Sequence, residues 1–411
     1  MSDISPARVC AYTVVRRVFE QGAYADRALI AEARGLEPRD RALATRLAYG
    51  TVQRKGTLDY VVSQFSSRPP ERLDPPVLAA VRLGLYQLLY LDGIGAHAAV
   101  NEAVELCKRH ARGGGQLVNA VLRRATRDGR GLVEALTDDT PQAAAIKYSV
   151  PGWLASQWFE ELGAERAREL MGAINEPAES ALRVNTLKAV PAEIAQQLPA
   201  GTAGDELPEG LILKAPFDIH GSELFKAGLV MPQSRGSMLV ARVLDPRPGE
   251  RVLDLCAAPG AKTTHLAALM RNEGELVAVE RNPKRAQALR RTCEQLGAEV
   301  TVVEGDARKP PDGPFDRVLV DPPCSGLGTL QSRPDVRWRA NPQSIAELQQ
   351  LQREILAGAR SVLAPGGRLV YSVCTISRAE CEDVVGDAES RQLMPDSDRT
   401  DGFFIASVRA A

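Results

Sequence analysis

Hydrophobic positions in the first third of the chain recur every three or four residues, the spacing that gathers apolar side chains on one face of a helix. The pattern predicts helices over 7–19, 43–52, 77–91, 98–106 and 117–125. Turn signals separate them at Pro69-Pro70, Pro75-Pro76, Asp92-Gly93 and Gly113-Gly114-Gly115. No strand-like alternation interrupts them, so residues 1–135 read as an all-α domain and 136–150 as a connector. A mixed pattern follows over 151–235, with helices at 153–162, 165–174 and 191–197 and strands at 181–185 and 210–213. This predicts a small α+β module. From Gly249 onward, short apolar runs alternate with helices. Strands are predicted at 251–256, 276–280, 300–304, 317–320, 368–373 and 403–408, and helices at 262–270, 283–296, 344–363 and 379–388. Residues 236–411 therefore read as a multidomain protein's α/β part, a parallel, doubly wound, Rossmann-like sheet. Such sheets bind ligands where the strands' C-terminal ends meet one edge.

Composition narrows the class. No run of about 18 apolar residues exists, so no membrane span is expected. The first residues carry Asp3, Pro6 and Arg8 with no apolar stretch behind them, which is not the make-up of a secretory signal. The expected compartment is the cytoplasm. The seven cysteines are odd in number and form no C-x-x-C pair, which disfavours both a disulfide framework and a structural metal site. The net charge of −1 hides an asymmetry: residues 1–135 hold 20 Lys and Arg against 14 Asp and Glu. Lys108, Arg109, His110, Arg112, Arg123, Arg124, Arg127 and Arg130 gather near the last predicted helix, a candidate phosphate-contacting patch. On charge alone, the more ordinary account is a helical domain with many surface arginines.

Candidate chemistry lies at the strand ends of the third region. The first strand runs into Asp254-Leu255-Cys256-Ala257-Ala258-Pro259-Gly260-Ala261-Lys262-Thr263. Its stride of small residues resembles the glycine loop of class I methyltransferases, with Cys and Ala in place of two glycines. The G-x-G-x-x-G of dinucleotide enzymes, which brings backbone close to a pyrophosphate, is absent. S-adenosylmethionine has no phosphate and tolerates the larger residues. Glu280 ends the second strand, where a carboxylate accepts both hydroxyls of a ribose. Asp306 follows the third, placed to meet an adenine amine. Either acid alone is more often a solvated loop residue. Three strand ends in order, each with the right residue type, point to a nucleoside cofactor.

Two thiols follow. The fourth strand leads into Asp321-Pro322-Pro323-Cys324-Ser325-Gly326 and the fifth ends Tyr371-Ser372-Val373-Cys374-Thr375. A lone cysteine at a strand end is usually a packed small hydrophobe. Two of them beside a cofactor loop suit one reaction well. Carbon 5 of cytosine is a poor nucleophile, and a thiolate adding to carbon 6 turns it into an enamine carbon able to accept a methyl group. Asp321 is a candidate to hydrogen-bond the ring nitrogen and amine of the base. Lys262 is a candidate to lower the pKa of the attacking thiol. On chemistry alone either thiol suits the nucleophile's part. His97, His110, His220 and His265 sit in no triad-like context.

The Asp-Leu-Cys-Ala-Ala-Pro-Gly-Ala-Lys-Thr run from Asp254, the Asp-Pro-Pro-Cys-Ser-Gly run from Asp321 and the Tyr-Ser-Val-Cys-Thr run from Tyr371 together resemble the Sun-type RNA cytosine-5 methyltransferases. Arg82-Leu83-Gly84-Leu85-Tyr86-Gln87-Leu88, His97-Ala98-Ala99-Val100-Asn101-Glu102-Ala103-Val104 and Leu117-Val118-Asn119-Ala120-Val121-Leu122-Arg123 resemble a NusB-like RNA-binding domain. That domain is fused ahead of the catalytic part in the bacterial 16S ribosomal RNA cytosine-5 methyltransferase B family. Asp401-Gly402-Phe403-Phe404-Ile405-Ala406 is similar to that family's last strand. The resemblance implies a ferredoxin-like module over 151–235, S-adenosylmethionine as cofactor and RNA rather than DNA as partner; no metal or membrane partner is expected, and a monomer is the default because one chain supplies every part. It implies Cys374 as nucleophile, Cys324 as the thiol that assists release, and Asp321 beside them. It further implies cofactor contacts from Cys256, Ala257, Ala258, Pro259, Gly260, Ala261, Lys262, Glu280, Arg285, Asp306 and Asp321.

Three positions depart from the family's pattern. Val373 replaces a threonine before the nucleophile, and Glu380-Cys381-Glu382 replaces Glu-Asn-Glu. Pro232-Gln233-Ser234-Arg235-Gly236-Ser237 replaces a more acidic segment. Two other functions are weighed against the methyltransferase of RNA. One is a non-catalytic RNA-binding factor for ribosome assembly or antitermination; the intact thiols and acidic strand ends speak against it. The other is a methyltransferase for protein or a small molecule, which has no use for paired thiols.

Overall fold

The computed structural model describes residues 4–409 except 216. The chain forms two compact units, one reaching to Glu176 and including Arg333–Arg339, the other formed by Pro177–Ser332 and the chain from Ala340.

The first unit is helical: α1 (Pro6–Gln21), α2 (Ala25–Glu32), α3 (Pro38–Gln53), α4 (Lys55–Phe65), α5 (Pro75–Tyr90), α6 (Ala96–His110), α7 (Gly115–Glu134), α8 (Pro141–Tyr148), α9 (Gly152–Leu162) and α10 (Ala164–Ala173). Helix α5 buries ten of its sixteen residues, including the unbroken run Ala79–Gln87, and packs at the centre of the core. Gly50 of α3 lets Tyr86 lie against it; a Cβ there would stand 1.9 Å from the Tyr86 ring. Residues 136–150, expected as a connector, hold α8. Its start is set by Thr140, whose side chain accepts from Ala143 N, with Pro141 in the first helical position. The Thr-Pro pair reads as a linker but is also a helix start. The segment Arg333–Arg339 packs in this unit through the buried Arg337, which donates to the carbonyls of Ser149 and Ile174 and to Asn175 Oδ1, and through Trp338 Nε1, 2.7 Å from the Val52 carbonyl.

The second unit opens with an antiparallel sheet in the order β2-β3-β1-β4, from β1 (Ala181–Val184), β2 (Ala200–Thr202), β3 (Gly210–Leu213) and β4 (Val230–Pro232), with α11 (Pro191–Ala195) and α12 (Glu223–Lys226). Helix α13 (Arg235–Leu244) then leads to β5 (Arg251–Leu255), α14 (Ala261–Leu269), β6 (Glu275–Glu280), α15 (Pro283–Leu296), β7 (Thr301–Glu304), β8 (Phe315–Val320), α16 (Pro342–Ser361), β9 (Leu363–Val373), α17 (Glu382–Val385), β10 (Glu389–Leu393) and β11 (Phe403–Arg409).

These seven strands make one sheet, ordered β10-β11-β9-β8-β5-β6-β7. Strands β5 to β9 are parallel as expected, but β11 runs antiparallel to β9 and to β10. The sheet is thus mixed rather than parallel throughout. The reason lies after β9, where the helix expected over 379–388 is absent. A 3₁₀ turn at Arg378–Glu380 and the four-residue α17 stand there instead, followed by the β10–β11 hairpin. Apolar residues Leu253, Leu255, Val318, Val320, Leu369 and Tyr371 fill one face beneath α16, and Val252, Leu319, Val370 and Ile405 fill the other beneath α13 and α14. The chain leaves β5 toward β6 and β7 on one side and returns to β8 and β9 on the other. The loops after β5 and β8 therefore diverge, which opens a crevice at that edge.

Candidate active site

The loop after β5 turns through Cys256 at φ +67° and Gly260 at φ +109°. At the φ of Gly260 any side chain is strained, and a Cβ there would also meet Leu289 Cδ1 of α15 at 2.8 Å, so glycine suits the turn. Asp254 is buried under the loop and accepts from Thr263 Oγ1 at 2.6 Å. Burial, reinforced by the charge of Asp321, pushes the Asp254 carboxyl up to about 7. Arg183 of β1, wholly buried, donates to the Ala261 carbonyl and to Thr264 Oγ1 at 2.6 and 2.8 Å, fixing the first turn of α14 that carries Lys262. Nothing in a short apolar strand marked Arg183 for this task.

Past β5, β6 and β7 lies a cleft of about 320 Å³, lined among others by Cys256, Glu280, Arg285, Asp306, Pro323 and Ile355. Glu280 is nearly buried; its Oε1 accepts from Asn282 N at 2.8 Å and its Oε2 faces Arg285 Nε at 3.4 Å. Arg285 also donates to the Ala258 carbonyl at 2.8 Å. Asp306 is gripped by the Arg308 side chain, whose hydrogen bonds hold its carboxyl down at about 2. Burial keeps Cys256 a thiol, well above the ordinary range. Of the other loop residues, Ala257 and Ala258 are buried and Pro259 is exposed.

The two sulfurs lie beside this cleft. Cys324 Sγ and Cys374 Sγ are 3.3 Å apart, at the ends of β8 and β9. Asp321 accepts from Lys262 Nζ at 2.8 Å and from Ser372 Oγ at 3.1 Å. Burial alone would lower the Lys262 ammonium; the charge and hydrogen bond of Asp321, with the Cys374 sulfur adding to them, outweigh it and hold Lys262 protonated. The Cys324 thiol is pushed far up by its hydrogen bond to Cys374, by burial and by the charge of the neighbouring sulfur.

Sequence reasoning passed over the floor of this site. Glu380, buried, lies beneath the residues that follow each cysteine, Ser325 and Thr375, and accepts from both. Cys381 is also buried, with its Sγ 3.8 Å from the Thr375 carbonyl. Val373 packs in the core and pairs with Phe404. Arg235, from the departing segment 232–237, is held by Glu179 and by the carbonyls of Asp398 and Arg399. His265 lies in the core with Nε2 2.7 Å from Glu209.

In the helical unit, Val100, Val104, Lys108, Asn119, Arg123 and Arg127 line a groove of about 410 Å³ between α6 and α7. His110 is turned away against the Tyr12 ring, Arg124 stacks on Phe65, and Arg130 pairs with Asp92. Among the described residues, no group of three or more His, Cys, Asp and Glu is arranged to hold a metal, and no helix is long and apolar enough to cross a membrane.

A seven-stranded sheet of this order, with an acid-edged cleft beyond its first three parallel strands, defines a class I methyltransferase domain. The chain belongs to the 16S rRNA methyltransferase RsmB/F family, whose pattern its residues 241–392 match. Residues 5–127 match the NusB family, and 150–220 match the ferredoxin-like domain of the RsmF/B-like methyltransferases. The chain is similar to the probable ribosomal RNA small subunit methyltransferase B of Bacillus subtilis (strain 168), at 35% identity over 91% of each chain. It is 34% identical to the ribosomal RNA small subunit methyltransferase B of Vibrio cholerae, over 98% of this chain and 97% of that one. The solved structure of PH0851 superposes with a TM-score of 0.83 at 27% identity, covering 99% of each chain. A methyltransferase homolog protein from Pyrococcus horikoshii covers 67% of this chain and 100% of its own, with a TM-score of 0.59 at 29% identity. The family and the fold class expected from the sequence are both borne out.

Proposed function

We propose that this protein transfers a methyl group from S-adenosylmethionine to carbon 5 of a cytosine in 16S ribosomal RNA, through a covalent adduct on Cys374. The observation that carries this is the pair of sulfurs 3.3 Å apart, with a lysine and an aspartate beside them.

The cofactor's fit rests on the cleft. Its volume of about 320 Å³ lies within the range of small-molecule sites. Glu280 and Asp306 offer acceptors for ribose hydroxyls and an adenine amine, and Pro323, Leu351 and Ile355 offer an apolar wall for the ring. Residues 256–262 and Arg285 complete the set. When bound, S-adenosylmethionine supplies an electrophilic methyl group, which carbon 5 accepts.

The chain's own residues do the rest. The target base leaves its stack to reach the thiols, so the substrate is a single-stranded or loop cytosine. Cys374 is the thiolate, favoured by the Lys262 ammonium, and its Sγ bonds to carbon 6. Asp321 accepts from the cytosine amine and from the ring nitrogen, which takes a proton from solvent when the adduct forms and returns it to solvent when the base is released. Bonding to carbon removes the charge on Cys374. Cys324 then ionises more easily, gives its proton to solvent, and takes the proton from carbon 5. The electrons of that C–H bond restore the double bond and expel the Cys374 thiolate. Residues 1–135 and 151–235 hold the flanking RNA, and 236–411 carry out the reaction. One chain supplies every part, so a monomer in the cytoplasm suffices.

The test is incubation with unmodified 16S ribosomal RNA and labelled S-adenosylmethionine, followed by nucleoside analysis. Label in 5-methylcytidine is the expected result. No incorporation into any RNA would overturn the proposal in favour of a non-catalytic RNA-binding factor.

A further inference from the structure

We propose that Glu380 is a positioning residue that decides which of the two sulfurs acts as the nucleophile. This rests on the reading above, in which Cys374 attacks and Cys324 assists release.

Glu380 is 0% exposed. Its Oε1 accepts from Ser325 N at 2.8 Å and from Gln352 Nε2 at 3.0 Å. Its Oε2 accepts from Ser325 Oγ at 2.5 Å and faces Thr375 Oγ1 at 3.3 Å. Ser325 and Thr375 are each the residue directly after a cysteine, and their hydroxyls lie 2.8 Å apart. One carboxylate therefore ties the β8 loop to the β9 loop at the point where each presents its sulfur. Gln352 reaches the other side of Cys324 as well, donating to the Pro323 carbonyl at 2.9 Å. Tyr371 OH donates to the Glu380 carbonyl at 2.8 Å, so the clamp's own backbone is fixed.

The clamp also carries charge. A buried carboxylate is costly unless donors surround it, and here the donors are the two cysteine loops. Its negative charge raises the Cys324 thiol, as does that of Asp321. The Lys262 ammonium interacts with Cys374. Glu380 makes two close hydrogen bonds to Ser325 beside Cys324 and one longer contact with Thr375 beside Cys374, while the Lys262 ammonium acts on Cys374, so the surrounding charge favours the thiol at Cys324 and the thiolate at Cys374. A glutamine at position 380 would remove the charge. Its amide oxygen could still accept from Ser325 N and Gln352 while its N–H groups turn to the two hydroxyls, which can accept, so the change is chiefly one of charge.

The experiment is alkylation of the whole protein with limiting iodoacetamide, without RNA or cofactor, with the label partitioned between Cys324 and Cys374 by peptide mass spectrometry. The native protein is expected to label Cys374 over Cys324 by roughly tenfold or more, the factor that one unit between two thiol pKa values produces. Glu380→Gln should bring the two toward equality, and Glu380→Asp, which keeps the charge, should restore most of the preference. If Glu380→Gln loses methylation yet labels Cys374 with native preference, Glu380 merely supports the fold and the proposal is overturned. If Glu380→Gln does not fold, Ser325→Ala takes its place: it removes one of the carboxylate's ties to the Cys324 loop, and a native preference there counts against the clamp. Because the labelling needs no RNA, a shifted partition in a protein that methylates nothing would sink the proposed function and leave the role of Glu380 standing.

Discussion

Two sulfurs 3.3 Å apart cannot readily both ionise, and in the proposed mechanism the charges around them decide which one does. Lys262 is the cation that acts on Cys374 in that balance, held protonated chiefly by Asp321. Replacing it with methionine is expected to raise the pH midpoint of Cys374 alkylation by about one unit and slow the reaction near neutral pH roughly tenfold. An unchanged midpoint would remove Lys262 from the activation of the thiol. The remaining cysteines behave differently. Cys10 and Cys293 are buried, and burial pushes their thiols up to about 11 and about 12, so they take no part in such chemistry.

At the scale of elements, α14 matters because it carries Lys262, and a buried polar cluster holds it in place. His265 of α14 meets Glu209, which also pairs with Arg242 of α13, while Arg183 of β1 grips the first turn. Burial, the largest influence, drives the His265 imidazole down to about 4 although Glu209 pulls the other way. The folded protein therefore prefers the neutral ring, with Nε2–H donating to Glu209. This contribution is full above about 6.5, the pKa of an unfolded histidine, and fades as pH falls from there toward 4. By pH 5 it amounts to about 2 kcal/mol lost. His265→Gln, which can still donate but does not titrate, should lose less stability than the native protein between pH 8 and pH 5 in urea unfolding. Equal losses would show that the ring does not titrate in this way. The sequence revealed β5 to β9 because their apolar runs are unbroken, and the strand ends disclosed Asp321, Cys324 and Cys374 because each sits in a short motif. It hid β10, whose Glu389, Ser390 and Arg391 are exposed and carry no apolar signal. It hid the packing of Arg333–Arg339 in the helical unit, which depends on partners far away in the chain. The burial of Glu380 was hidden for a related reason: in the sequence the residue stands only as part of a departing motif in a predicted helix, and only the fold turns that acid inward.

At the scale of the whole molecule, the catalytic machinery lies in one unit and the basic groove in the other. The groove's Lys108, Arg123 and Arg127 assign it to the RNA backbone in the proposed function. Reversing Arg123 and Arg127 to glutamate should weaken RNA affinity at low salt roughly tenfold and flatten the slope of log affinity against log salt by about two. The same change should leave iodoacetamide labelling of Cys374 as it is. An unaltered salt slope would take the groove out of RNA binding. The central claim, however, is the division of work between the sulfurs. The most direct measurement is made on Cys324→Ala, incubated with unmodified 16S ribosomal RNA and S-adenosylmethionine, digested, and searched by mass spectrometry for nucleotide-bearing peptides. The account predicts a stable RNA–protein adduct carried on the peptide of Cys374, and none when Cys374→Ala is combined with it. An adduct absent from Cys324→Ala, or full methylation by Cys374→Ala alone, would contradict it.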